Sequence, residues 1–600
     1  MFLRFYFCFF VLLTSHLDAD DSLFNPEEII SLEEINIGDE GVWQTVVRGV
    51  ELSTFPLKVL GIVDNFAGPG QPVIICEALD DLNRESGPVA GMSGSPVYID
   101  GKLAGAYAYG YMWPKNQAII GVTPIAQMLE LLHRFEPHAQ RFPKDSTYQE
   151  VRAPIPLEIL KGDAQQLKNL LKSNKYYSNN QKMTLFSGGI SEQTLKMFQE
   201  EIDAAGVSIV PQSASGNSSL GEISERQDYL LEPGYPVAGV LMDGDFSFTG
   251  VGTVTWRQED RLLGFGHSYF RRGAADIPMA GARIITTIQS LSKSFKLSSV
   301  GKVVGSIYQD RLTAIAGEVG RLVYRIPVTI NLDHNGHKKT YSGNLYEDKS
   351  MTPLLSSIGM LQVMNSSLEK ELEQHYKMTF NINFKDYPEI KFTKYGGSPE
   401  AAFKALVQYF QHITKIMNNP FTFPRLNGIQ LDLEVSTGLN SHVLHEFRRI
   451  GGPVEAGEEV RYEIQTMDSE GDVHSHYLEV PFDLNWQDET LEFLVCDAPY
   501  LKTLDQGVIR YDWDSFEDIL HYIGQEKPNN KIYVRIMRNQ EGLRVQGQEL
   551  MGLPPSVIEI LASPNIAQKG QHTSFESLWE GFIELPTDFQ GLHQFKLYVQ

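Results

Sequence analysis

A chain of 600 residues that is 42% hydrophobic, 11% aromatic and 21% charged has enough apolar side chains for several cores, about four domains by length. That composition argues against wholesale disorder, collagen and coiled coil. With 51 Lys+Arg against 75 Asp+Glu the formal net charge is −24. Such a field repels phosphate backbones and anionic lipid, so nucleic acid is not an expected partner; solubility is the plainer reason for it.

Residues 1–19, MFLRFYFCFFVLLTSHLDA, carry one early Arg4, an apolar stretch from Phe5 to Leu13 and a cut site after Ala19. This reads as a secretory signal peptide, too short for a membrane span. No later stretch is long and apolar enough to cross a membrane as a helix, so the mature chain is expected to be exported without an integral membrane segment: periplasmic, secreted or at a bacterial cell surface. Cys8 lies in the signal stretch. Cys76 and Cys496, the other two cysteines, sit in strand-like runs and read as small buried hydrophobes rather than a disulfide framework.

Residues 28–135 run in short Val/Ile/Leu-rich segments punctuated by Gly, Pro and Asn, the texture of a barrel or sandwich. They close on a helix begun by Thr123 and Pro124, with Ile125, Met128, Leu129 and Leu132 on its apolar face. Residues 136–227 are a more helical, polar insertion, where Ser191 can cap a helix that buries Leu195, Phe198 and Ile202; Gln212–Ser219 reads as a flexible loop. Strand-like texture returns over 228–330. An α+β region, 331–430, includes a helix opened by Ser398 and Pro399 that presents Phe403, Leu406, Phe410, Ile413 and Met417 on one side. Alternating segments over 431–600 predict β-sandwich-like modules.

The most informative stretch is Gly91–Gly110, GMSGSPVYIDGKLAGAYAYG. A nucleophilic serine needs a tight turn that exposes its Oγ while N–H groups converge on an oxyanion, and closely spaced glycines permit one. Ser93 stands between Gly91 and Gly94. Asp100-Gly101 between apolar runs predicts a two-residue hairpin immediately after it.

This segment resembles the nucleophile region of chymotrypsin-like peptidases, G-x-S-G-G-P followed by a hairpin. GMSGSP with DGKLAGA, together with GVGTVTWRQEDRLLGFGHSYF and GKVVGSIYQDRLTAIAGEVG, resembles more closely the SpoIVB-type serine peptidases, over about a third of the chain. The resemblance implies a mainly β fold, a chymotrypsin-like double β-barrel split by the helical insertion and followed by accessory domains. It implies Ser93 as nucleophile, the Gly91 and Ser93 amides as oxyanion hole, and Ala108, Tyr109 and Gly110 as the strand that pairs with substrate. Met92 replaces the aspartate by which many such enzymes lock the hole after zymogen cleavage. His267 is then the general base. The serine half here precedes the histidine half, so the resemblance implies a circular permutation.

The acid that should accept from the histidine Nδ1–H is open: Asp310 stands first, with Asp276, Glu77, Asp80 and Asp81 as further candidates and a Ser–His dyad as another outcome. The pairs His334/His337, His442/His445 and His474/His476 lack a zinc-protease spacing, and phosphate-loop and dinucleotide glycine patterns are missing, so neither metal nor cofactor is expected. Arg271 and Arg272 read as partners of local carboxylates. The expectation is an exported serine endopeptidase, a hydrolase acting through an acyl-enzyme on peptide or protein substrates. The alternatives are an inactive envelope scaffold that binds peptides, surface polymers or an envelope protein partner, and a self-processing enzyme.

Overall fold

The computed structural model describes residues 25–110, 118–134, 183–211, 230–290, 293–367, 374–397, 399–437, 441–506, 515–545, 548–563 and 571–600. The signal peptide, most of the 136–227 insertion, the Gln212–Ser219 loop and the Ser398 cap therefore lie outside the described residues. The chain is mainly β and divides into two compact units, one falling within Met1–Phe186, Gly206–Leu241 and Phe248–Val323, the other within Ser187–Ala205, Met242–Ser247 and Tyr324–Gln600.

In the first unit, β1 (Glu40–Arg48), β2 (Glu51–Val63), β3 (Val73–Ala78), β5 (Ser95–Ile99), β6 (Lys102–Gly110) and β7 (Ala118–Pro124) close an antiparallel barrel in the order β1-β2-β3-β7-β6-β5. Helix α1 (Asp81–Ser86) and the two-residue β4 (Val89–Ala90) interrupt it between β3 and β5. Closure removes open edges. The barrel is filled by alternate inward side chains, among them Trp43, Leu57, Ile74, Cys76, Val97 and Ile120. Cys76 is a free thiol, and burial pushes it up to about 12, as befits a small core hydrophobe. The hairpin at Asp100-Gly101 forms as its sequence predicts: both residues take positive φ, +50° and +78°, and Ile99 faces Lys102, the geometry that matches the twist of the flanking strands.

Helix α2 (Ile125–Arg134) follows directly on β7 and buries Ile125, Met128, Leu129 and Leu132, with Leu131, against Trp256, Leu263 and Tyr308. The helix starts immediately after Thr123 and Pro124, as the sequence predicts; Thr123 itself is the penultimate residue of β7, and its Oγ1 donates to the Gly266 carbonyl at 2.6 Å.

After β8 (Met183–Gly188) and β9 (Val207–Pro211) come β10 (Pro236–Gly244), β11 (Ser247–Gln258), β12 (Arg261–Gly264), β13 (Gly273–Ile288), β14 (Ser294–Arg311) and β15 (Ala314–Val319). They pair in the order β10-β13-β14-β15-β12-β11, and a further β10–β11 pairing returns to the first strand.

In the second unit, Ser191 caps Glu192–Met197 by accepting from the Thr194 amide at 3.2 Å, and Leu195, Phe198 and Ile202 are buried as the spacing predicts. The helix breaks at Phe198 and resumes over Gln199–Ala204. Strands β16 (Arg325–His334), β17 (His337–Tyr346), β18 (Gln374–Phe384), β19 (Ile390–Gly396) and β20 (Leu426–Thr437) pair in the order β19-β18-β20-β16-β17. Helices Met351–Ser367 and Pro399–Met417 pack beside them. The second of these buries Leu406, Ile413 and Met417 fully and Phe403 and Phe410 in part. The alternating segments after 431 form two further sheets whose inward residues, Tyr462, Ile464 and Val480 from one and Phe493, Val534 and Ile536 from the other, share one apolar core.

Trp43 is fully buried, stacked on Phe55 at 4.6 Å and edge-on to Tyr107 at 5.4 Å. Trp43→Ala should therefore lose about 3–5 kcal/mol, read as a lower urea midpoint of the first unit; an unchanged midpoint contradicts this packing.

Candidate active site

The turn that carries Ser93 is built by backbone bonds. Val89 and Ala90 pair in parallel with Ser294 and Phe295, and the Met92 N–H donates to the Val89 carbonyl at 3.2 Å. Gly91 and Gly94 take φ of +99° and +100°, a region side chains disfavour. The Met92 carbonyl is held twice, by the Ser95 N–H at 3.0 Å and the Ser95 Oγ at 2.6 Å. In a planar trans peptide the N–H points opposite to its carbonyl. The Ser93 N–H thus turns away from Ser95, and among the described residues it has no acceptor. Ser93 itself is half-buried between buried Met92 and Gly94.

One residue of β11 fixes this turn. The Thr253 N–H donates to the Ser93 carbonyl at 2.8 Å, and its Oγ1 donates to the Gly91 carbonyl at 2.9 Å. Thr255 Oγ1 adds a bond to the Gly94 carbonyl at 2.7 Å. The Thr253 carbonyl meanwhile accepts from the Phe265 N–H at 3.2 Å. Phe265 is two residues before His267, so both predicted catalytic side chains are registered on the same strand position.

Phe265 takes φ +67° and Gly266 φ +67°; a bulky residue in that region stores strain and signals a constrained turn. The turn is clamped by Thr123 on the Gly266 carbonyl. His267 is half-buried, with Phe265 edge-on at 5.9 Å. Its Nδ1 lies 2.8 Å from the Ser268 carbonyl. A carbonyl only accepts, so Nδ1 carries the proton and Nε2 is left as the basic nitrogen. Burial holds His267 below its ordinary value, against the opposing pull of the Ser268 carbonyl and the Asp310 charge; a neutral ring at neutral pH is what a general base requires.

Asp310 does not bond the imidazole. Its Oδ1 accepts from the Tyr269 N–H at 2.6 Å, and its Oδ2 from those of Phe270 and Arg272 at 2.6 and 3.0 Å. The predicted Asp310–Nδ1 bond is thus replaced by the Ser268 carbonyl, because three amides of the segment after His267 converge on the carboxylate first. Burial raises Asp310 while those amides and His267 lower it. The other acids stand elsewhere. Asp276 pairs with Arg321 at 3.0 Å, Asp80 caps α1 through the Asn83 amide at 2.8 Å, Asp81 lies 3.8 Å from Arg84, and Glu77 faces Lys58 in the β2–β3 ladder. Arg272 lies over the Phe270 ring at 5.9 Å.

Ser93 and His267 line one cavity of about 590 Å³, together with Gly91, Tyr107, Ala108, Gly110, Phe265 and Lys293. No carboxylate is among the described residues that line it. The β5–β6 register ends at Ser95↔Tyr107, whereas β6 runs on against β7 to Gly110↔Ile120. Ala108 and Gly110 therefore reach the cavity beyond the end of β5, with Tyr109 between them facing Gly121 in the ladder.

Two supporting residues carry no motif. Thr253 sits in a strand buried on both faces, so no alternation marks it. Lys296, in FKLSS, looks like an outward polar position yet is fully buried beneath Gly91. Among the described residues no group of three or more His, Cys, Asp or Glu is disposed to hold a metal ion, and no helix is long and apolar enough to cross a membrane. Comparison with protein-family models, curated proteins and solved structures found no match.

A Cβ on Gly94 would lie 2.0 Å from the Thr253 carbonyl oxygen and 2.4 Å from the Phe265 nitrogen. Gly94→Ala should separate the two turns, with a stability loss of roughly 2–4 kcal/mol and loss of any Ser93 reactivity; a variant with unchanged melting and reactivity contradicts that register. Removing the Asp310 charge removes an attraction that favours protonated His267. Asp310→Asn should therefore move the acid limb of a pH–rate profile to lower pH. Because Ser268 keeps the tautomer, the rate loss should fall well short of the ~10⁴-fold seen when a triad acid is replaced. A full loss of that size would restore Asp310 as the direct acid.

Proposed function

We propose that the first unit is a serine endopeptidase of SpoIVB type, a chymotrypsin-like double β-barrel with its halves in permuted order, in an exported protein whose remaining domains are accessory. The two rings of six paired strands favour the double barrel. The observation that carries the reading is the Thr253 register, by which Ser93 and His267 come to line one cavity.

The chemistry is acyl transfer. His267 Nε2 accepts the Ser93 Oγ proton as Oγ bonds to the peptide carbonyl carbon, and the oxyanion is held by the Gly91 and Ser93 amides. Nε2–H then protonates the departing amine as the C–N bond breaks. Water, deprotonated by the same nitrogen, releases the acyl group. A substrate strand pairing along Ala108–Gly110 would bring its carbonyl to Ser93.

An inactive peptide-binding scaffold is the second reading, favoured by one observation: in the free chain Ser93 Oγ and the His267 ring are not hydrogen-bonded. Catalytic bonds often tighten only with substrate. The test is cleavage of an unstructured protein by the wild type, Ser93→Ala and His267→Ala. The peptidase reading expects turnover that falls at least ~10³-fold in each variant. No turnover by the wild type, with peptide binding retained in Ser93→Ala, would replace it with the scaffold.

A further inference from the structure

Lys296 is fully buried, in β14, inside the first unit. Lysine is almost never buried without a partner charge, yet among the described residues the groups that meet this one are neutral. From β1 it meets Thr45, whose Oγ1 accepts from Nζ at 2.6 Å. From β11 it meets Thr253, whose Oγ1 lies at 3.5 Å. Its ladder neighbour on β13 is Thr287. From the nucleophile turn it meets Gly91, where a Cβ would strike the Lys296 Cβ, Cγ and Cδ at 3.2–3.3 Å.

We propose that Lys296 is a positioning residue of the Ser93 turn, its buried ammonium keeping the Gly91–Ser93 peptides set for an oxyanion and directing positive potential toward it. The inference rests on the peptidase reading and assigns a role to a group that the acyl-transfer scheme leaves unused.

Two contacts carry it. The aliphatic stem packs against the Gly91 backbone and fills the space that a side chain at position 91 would need. The head reaches the turn through Thr253, whose Oγ1 accepts from Nζ at 3.5 Å and donates its own hydrogen bond to the Gly91 carbonyl. Losing the charge weakens that link and removes a positive group packed against the turn. An ammonium in a dry site acts on a nearby anion far more strongly than in water, which is a reason to retain a group so costly to bury.

Burial lowers Lys296 to about 7. Its charge, and with it the oxyanion support, is therefore present below neutrality and lost as pH rises through that value. His267 must be neutral, and burial sets its titration below the ordinary value. The two together give a bell-shaped rate profile whose alkaline limb lies near neutrality and belongs to Lys296.

The test is the pH dependence of kcat and KM on a peptide substrate for the wild type, Lys296→Met and Thr45→Val. Lys296→Met should lower kcat about 10–100-fold at pH 6, leave KM within about twofold and abolish the alkaline limb. Thr45→Val keeps the lysine but removes an acceptor of its ammonium, so it should move that limb to lower pH even if the methionine variant folds poorly. Profiles of unchanged shape in both variants would overturn the role of Lys296 and leave the peptidase reading standing. Absence of Ser93-dependent turnover in the wild type would overturn both.

Discussion

The site depends on what Thr253 does with three polar groups. Its N–H holds the Ser93 carbonyl, its hydroxyl the Gly91 carbonyl, and its carbonyl the Phe265 amide. Each bond is modest, about 1 kcal/mol net, but in a buried strand none can be left unmade without a larger penalty. Two segments far apart in sequence are thereby tied to one residue, with no contact between their own side chains required. Gly94 is the steric condition for this arrangement, since only a residue without Cβ allows the Thr253 carbonyl so close.

The electrostatics follow from burial more than from pairing. The chain carries a net charge of −24, yet among the described residues that line the cavity there is no carboxylate, and Asp310 is held by amides and Lys296 by a hydroxyl. Asp310 shapes the segment after His267 by gathering three N–H groups, and it influences the ring through space. A main-chain carbonyl fixes the tautomer. This divides between two groups the orientation and charge stabilisation that one aspartate supplies in a triad.

What the sequence made legible was local. Glycines around Ser93, Asp-Gly at the hairpin, Ser191 before a helix and the apolar face of α2 each encode a backbone conformation or a short-range pattern, and each formed. The misses were tertiary. Thr123 and Pro124 do stand immediately before α2, but nothing local tells that the Thr123 hydroxyl bonds Gly266 across the fold. Asp310 reads as a triad acid by chain order, whereas the nearest donors to its carboxylate are amides. Thr253 and Lys296 were silent because β11 is buried on both faces and a lysine in a strand ordinarily signals solvent.

In the proposed peptidase His267 activates the Ser93 hydroxyl in one accessible cavity. The most direct measurement is mass mapping of the protein after reaction with a fluorophosphonate. A single phosphonyl adduct on Ser93 is expected, its formation slowed at least ~10²-fold in His267→Ala. An adduct on another residue, or labelling of Ser93 at an undiminished rate without the imidazole, would contradict it.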